Sequence, residues 1–457
     1  MAEAIIILKV MILEQTISSP PKVERKASRR EDNKLQRHDR AAHQWYRFVL
    51  SFPPHLVRDY VEKFELNESH HVLDPFCGTG TTLVECQKLG IQAVGLESNP
   101  VACFASRTKL NWQIDSDALW EHAQRIAAFT DEKLEDSGLE NNRELMLLET
   151  SRCFTPQDLH KLPADLEKLI LKKSISALPL HRTLILLETL EENRDERFYD
   201  HERLALATAL VNEISNLHFG PEVGVGPAKF DSPVVSLWLD NVRTITDDVK
   251  NLQSYPRTAT VHQADSREVS TILQRQSIDA VITSPPYPNE KDYTRTTRLE
   301  SILLGFIKSK EDLRALKRNL IRSNTRGVYK NDRDDLHVNG HSRIQEIATA
   351  IEDRRIALGK TSGFERLYAR VTKLYFGGMK QHLADLRGVL RPGAKLAYVV
   401  GDQASYLRVM IRTGELLADI ATSLGYEVVG IDLFRTRLAT ATREQLREEV
   451  VLLRWPK

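Results

Sequence analysis

The stretch HVLDPFCGTGTTLVECQKLG, residues 71–90, decides the fold. Val72 and Leu73 close a short strand, a glycine-rich turn follows, and the chain then reads as helix. IQAVGLESNP (91–100) reads as a second strand ending in an acid, Glu97. Strand, turn, helix and strand make a β-α-β unit of the doubly wound type. Gly78 and Gly80 let the backbone turn sharply and approach a ligand where a Cβ would clash. No GK[ST] follows, which excludes a nucleotide-triphosphate loop, and the spacing is not GxGxxG, which disfavours a dinucleotide fold.

Upstream, WYRFVLSFPPHLVRDYVEKF (45–64) has a Pro-Pro helix start and apolar Leu56, Val57, Tyr60, Val61 and Phe64 at helical spacing. Residues 17–42 are polar and charged, and 1–44 reads as a flexible arm, either touching phosphates or simply solvated. AIIILKVMIL (4–13) is shorter than the roughly 20 helical residues a bilayer needs. It reads as a short strand or as extension ahead of a start at Met11. A cytoplasmic protein is expected.

Downstream, 115–250 reads as a long helical insertion broken by a loop with Gly220, Gly224 and Gly226. The alternation resumes with TATVHQADSRE (258–268) and IDAVITSPPYP (278–288). After a polar stretch at 308–365 come a helix, a Pro-Gly turn (392–393) and the strand KLAYVVGD (395–402). Another helix then leads to EVVGIDLFRTR and EEVVLLRW, the ending of a seven-stranded Rossmann-like α/β sheet with an antiparallel final hairpin. The expected body is 45–114 with 251–457. Hydrophobic residues at 41% suit a real core, and a net charge of +1 gives no bulk excess for nucleic acid. Cys77, Cys86, Cys103 and Cys153 form no CxxC pair and no zinc-ligand spacing, so neither a disulfide scaffold nor a metal is expected.

Acids stand at three successive strand tips: Asp74, Glu97 and Asp265. Each alone suits a cap or turn, but together with the glycine loop they suit a bound cofactor. Asp74 can meet a positively charged ligand end, Glu97 ribose hydroxyls, and Asp265 an adenine amino group.

Here the chain resembles a known family. DPFCGTGTT (74–82) looks like motif I of the amino-methyltransferases, which methylate cytosine N4 or adenine N6. FPPHLVRDYV (52–61) resembles the helix that closes over the methionine moiety, and VGLESNP is similar to the second motif. The likeness covers roughly 45–112 and 255–455. It implies S-adenosylmethionine held by Phe52, Pro53, Asp74, Phe76, Gly78, Gly80, Thr81, Thr82, Glu97, Ser98, Asp265, Ser266 and Thr283.

TSPPY (283–287) is the matching catalytic turn. Its prolines fix φ and remove backbone N–H groups, so carbonyls can point outward as acceptors. An exocyclic amine is weakly nucleophilic, because its lone pair is delocalised into the ring. Acceptors on its hydrogens, from the Ser284 side chain and the Pro285 carbonyl beside Pro286, favour the rehybridised geometry that attacks a methyl group. Tyr287 is expected to stack on the base once it is flipped from duplex DNA. Tyr293, Arg295 and Arg298 suit either phosphate contacts or interior packing.

Ser at the first position is commoner among N4-cytosine members, so cytosine is the expected target and adenine N6 the alternative. C5 chemistry is disfavoured, since Tyr287 stands where a cysteine would. Target recognition is expected in the insertion at 115–250 or in segment 308–345, and the second is favoured: its ten Lys/Arg against five Asp/Glu suit DNA contacts, or else a solvated loop. Other readings are an RNA guanine-N2 enzyme, a non-catalytic DNA- or partner-binding subunit, and a glutamine methyltransferase. A restriction or defence partner subunit is also open.

Overall fold

The computed structural model describes residues 34–48, 51–137, 159–219, 222–289, 291–438 and 445–456. In chain order the strands are β1 (His71–Asp74), β2 (Gln92–Glu97), β3 (Leu217–Phe219), β4 (Val223–Val225), β5 (Ala259–Gln263) and β6 (Ile278–Thr283). β7 (Leu390–Gly401), β8 (Glu427–Leu438) and β9 (Gln445–Arg454) follow. Seven of them form one sheet in the order β5-β2-β1-β6-β7-β9-β8, parallel except for antiparallel β9. The order reverses between β1 and β6, the switch point where doubly wound sheets open a crevice at their carboxyl ends.

Helices cover both faces. On one lie α1 (Pro54–Lys63), α2 (Thr81–Lys88) and α3 (Pro100–Lys109). They share a core with the insertion helices α4 (Ser116–Asp136), α5 (Ala177–Glu192), α6 (Tyr199–Ala209) and α7 (Val234–Leu252). A short helix, α8 (Lys310–Arg318), is anchored through Leu316 against Ile302 and Ile307. On the opposite face lie α9 (Ser342–Ala357), α10 (Tyr368–Leu386) and α11 (Thr413–Ser423). A Cβ on Gly377 of α10 would stand 1.8 Å from the Asp334 carbonyl, so a glycine there lets the 308–365 segment lie on that helix. Among the described residues no helix is long and apolar enough to cross a membrane.

Several boundaries differ from the expectation. The body begins before residue 45: Asp39, Ala42 and His43 are buried. His43 Nε2 lies 2.8 Å from Glu85, and Trp45 donates to Asp248 at 2.7 Å. Side-chain partners bury this polar stretch, which its scarcity of large apolar residues hides. Residues 1–33, including 4–13, lie outside the described residues. The insertion is not wholly helical: Leu217 to Phe219 pair antiparallel with Val223 to Val225, where a loop was expected. Gly220 lies outside the described residues. Pro392 and Gly393 do not end an element either, because β7 runs through them. Its register against β6 slips there, from Ile278↔Leu390 to Ala280↔Lys395, and Gly393 takes φ +84° while donating to the Trp455 carbonyl.

Candidate active site

A cavity of about 310 Å³ opens at the carboxyl ends of β1, β2, β6 and β7. The glycine loop forms one wall. Gly80, in the left-handed region at φ +84°, starts α2, and a Cβ on it would meet Ser106 Oγ at 2.4 Å. Gly78 N–H donates to Glu97 Oε2 at 2.9 Å, and Asn99 N–H donates to Oε1 at 2.7 Å. Burial pushes the Glu97 carboxyl up to about 7 against those donors, and the nearby Asp74 charge adds to the rise.

Asp74 is fully buried. Its Oδ1 accepts from Thr283 Oγ1 at 2.6 Å and from Phe76 N–H at 3.1 Å, whereas Oδ2 has no hydrogen-bond partner among the described residues. Burial lifts its pKa to about 6, and the hydrogen bonds only moderate the rise. An orphaned carboxylate oxygen behind a loop that lines the cavity suits the ammonium of an amino-acid moiety. Thr82 donates to the Ile282 carbonyl at 3.1 Å, so two side-chain bonds tie the loop to the end of β6 across the switch point.

Of the residues expected at a cofactor, Phe52, Phe76, Gly78, Thr81, Glu97, Ser98 and Ser266 line the cavity. Pro53, Asp74, Gly80, Thr82 and Thr283 stand behind it, shaping helix starts, bracing the strands or, for Asp74, bonding the loop from beneath. Asp265 is a correction. Its carboxylate caps the turn at Arg267 N–H and is gripped by the Arg267 guanidinium at 2.6–3.1 Å. It does not line the cavity, and Ser266 stands there instead. An arginine two residues along, itself tied to Asp334, claims the charge expected for a ligand.

The turn Ser284–Tyr287 forms the facing wall. Ser284 Oγ donates to the Val399 carbonyl at 3.3 Å, so its own lone pairs remain as acceptors toward the cavity. Tyr293 also lines the cavity, its hydroxyl 3.5 Å from Tyr287 N, whereas Arg298 is spent on Thr294 and the Leu169 carbonyl. Arg295 Nε is buried without a hydrogen-bond partner among the described residues.

Several residues emerge only from the tertiary structure. Lys109, 1% exposed, donates to the Thr79 carbonyl at 2.7 Å and the Tyr46 carbonyl at 3.3 Å, pinning the loop from behind. Burial, with Arg47 and Lys88 nearby, brings its pKa down to about 7. His382 bridges the Ser266 carbonyl and the Tyr398 hydroxyl, both at 2.7 Å. It therefore carries its proton on Nδ1, and its ring meets Phe76 edge-on at 4.9 Å.

The basic 308–345 segment also differs from a cationic loop. Arg322 is bound by Asp332, Arg343 by Glu415 and Asp419, and Lys317 by Asp292, so internal carboxylates absorb much of the charge. Lys317, Asn319 and Asn324 nonetheless line the cavity mouth. Cys77, Cys86 and Cys103 are buried, and burial pushes all three thiols up, consistent with packing rather than reactivity.

A family model described as DNA methylase, of the N6/N4 methyltransferase type, matches residues 17–107. The chain is similar to the Type II methyltransferase M.BsoBI of Geobacillus stearothermophilus, 26% identical over 448 residues, with 91% of this chain and 84% of the relative covered. It is also similar to the Type II methyltransferase M.AvaI of Anabaena variabilis, 24% identical, with 91% and 86% covered. A short stretch of 59 residues is 41% identical to the Type II methyltransferase M.MjaII of Methanocaldococcus jannaschii, covering 13% of this chain and 11% of that one.

Proposed function

The chain belongs to the amino-methyltransferases, as a DNA methyltransferase enzyme, and from that membership we propose that it methylates the exocyclic N4 of a flipped cytosine in duplex DNA. The observation that carries the reading is the Ser284–Tyr287 turn, which shares one cavity with the glycine loop and Glu97. Asp74 and Glu97 are the proposed holders of the amino-acid and ribose parts of S-adenosylmethionine, with Phe76 against its adenine. When bound, that cofactor supplies an electrophilic methyl group.

The protein's residues act on the amine. Ser284 Oγ, its hydrogen committed to Val399, and the Pro285 carbonyl accept the two amino hydrogens. This draws the nitrogen lone pair out of conjugation and toward the methyl group. The prolines hold that carbonyl without an N–H that would compete for it. Tyr287 supports the face of the flipped ring, offsetting part of the few kcal/mol that unstacking costs. Cytosine is favoured because Ser284 resembles the N4 members at this position. Target recognition is assigned to 308–365, whose inner part reaches the cavity mouth. The Type II designation of the relatives supports a restriction-modification setting. The proposed location is the cytoplasm, at the nucleoid when on DNA, where this substrate and cofactor meet.

The test is direct. Unmethylated bacterial DNA and total RNA are incubated separately with protein and labelled S-adenosylmethionine, and the digested nucleosides are identified by mass spectrometry. N4-methylcytosine is expected. N6-methyladenine would move the target to the other base, and label confined to RNA would overturn the reading. Tyr287→Ala should cut turnover by at least about 100-fold with cofactor affinity unchanged. Equal loss of both would reassign Tyr287 to the cofactor.

A further inference from the structure

The cavity extends beyond the catalytic turn along one row of the sheet. Gly401, at the end of β7, pairs with Glu448 of β9, which pairs in turn with Arg435 of β8. A Cβ on Gly401 would stand 2.9 Å from Tyr287 Cε2 and 3.4 Å from Glu448 Cγ, so the tyrosine ring and the glutamate stem lie against the same glycine. The β8 register slips between Leu433 and Arg435, leaving Phe434 as the extra residue of a bulge. Bulges re-aim side chains. Here Phe434, Arg435 and Glu448 all line the cavity that holds Ser284 and Tyr287. Arg435 Nε donates to Glu448 Oε2 at 2.5 Å, and its side chain is 21% exposed. With Nε committed, the guanidinium presents its two terminal nitrogens, which bond no other side chain or carbonyl among the described residues.

We propose that Arg435, positioned by Glu448, reads the Watson–Crick edge of the flipped base and makes the site selective for cytosine. The inference rests on the amino-methyltransferase reading above. With its amino group at Ser284 and Pro285, cytosine carries two adjacent acceptors along that same edge, N3 and O2. A planar guanidinium matches two neighbouring acceptors bidentately, which a lysine ammonium cannot do. Adenine held by its N6 amine offers N1 and then a C2–H, so one arm of the fork would be left unpaired in a desolvated pocket. Glu448 keeps the fork from swinging into solvent and is a positioning residue.

The full-length protein is assayed on unmethylated bacterial DNA as Arg435→Ala, Arg435→Lys and Glu448→Gln, each first checked for wild-type S-adenosylmethionine binding and melting temperature. Arg435→Ala should lower kcat/KM for N4-methylcytosine formation by about 10- to 100-fold, the range of one bidentate base contact. Arg435→Lys should not restore it. Glu448→Gln should give a smaller loss, confined to kcat. Wild-type turnover in Arg435→Ala would overturn the proposal. So would a loss seen only in KM together with a shallower salt dependence, because that marks a phosphate contact. If wild type produces N6-methyladenine alone, this base-reading role falls while amino-methylation of DNA stands. Absence of transfer to any DNA overturns both.

Discussion

Asp74 shows how a single residue can be legible in sequence and yet take its chemistry from burial. Its place before the glycine loop marks it as a ligand candidate, but only the fold strips it of water and lifts its pKa from 3.8 to about 6. The folded pKa lies above the unfolded one. This group's stabilising contribution is therefore fully present below about pH 4 and is lost as pH rises through about 6. A cation seated on Oδ2 binds the ionised form. S-adenosylmethionine affinity should therefore rise as pH climbs to about 6, by up to roughly tenfold per unit, and level off above. Titration calorimetry between pH 5 and 8 measures this, and Asp74→Asn should weaken binding and flatten the profile. A slope that survives the substitution would transfer the effect to Glu97. Asp265 shows the converse. Its position at a strand tip was readable, but its capture by Arg267 depends on a guanidinium also tied to Asp334, 67 residues away.

Among elements, the loop between β1 and α2 is the most tightly specified. Gly80 needs a left-handed backbone and has Ser106 of α3 almost in contact. Gly80→Ala therefore meets two independent penalties, a φ cost of about 1–2 kcal/mol and a clash. We expect a lower melting temperature and at least tenfold weaker cofactor binding. Adding Ser106→Gly should restore only part of the stability, because the clash is relieved while the φ cost remains. Full recovery would show that φ is unimportant there. The strands and long helices were legible because their periodicities are local. The bulge at Pro392–Gly393 and the hairpin β3–β4 were not. Pro-Gly and glycine-rich stretches read alike whether they end an element or bend it, and the pairing strand decides which.

At the scale of the whole molecule, the insertion is not a satellite. Residues of α4 to α7 lie in the same apolar cluster as α1, α2 and α3 beneath the sheet. Trp238 of α7 is fully buried and donates to the Glu202 carbonyl of α6 at 2.9 Å. A shared core makes unfolding cooperative, so calorimetry should show one transition for insertion and sheet together. Trp238→Ala, at a cost of about 3–5 kcal/mol, should lower that transition as a whole. A separate early transition would show the insertion to be an independent unit.

By itself the sequence determined the seven-stranded sheet with its final antiparallel hairpin, the glycine loop and the Ser284–Tyr287 turn proposed to be catalytic, because these depend on short-range patterns of apolar, glycine and proline residues. Only the tertiary structure decided which acids remain available to a ligand, which basic residues of 308–345 are already neutralised, and how the edge of the base pocket is built. Those outcomes depend on partners that stand from 10 residues away, for Arg322 and Asp332, to 209, for Asp74 and Thr283. Arg435 and Glu448 reach the TSPPY turn only because β7 and β9 carry the row across the sheet. The charge and hydrogen-bonding state of a side chain is set by the atoms beside it, and no local pattern names those atoms.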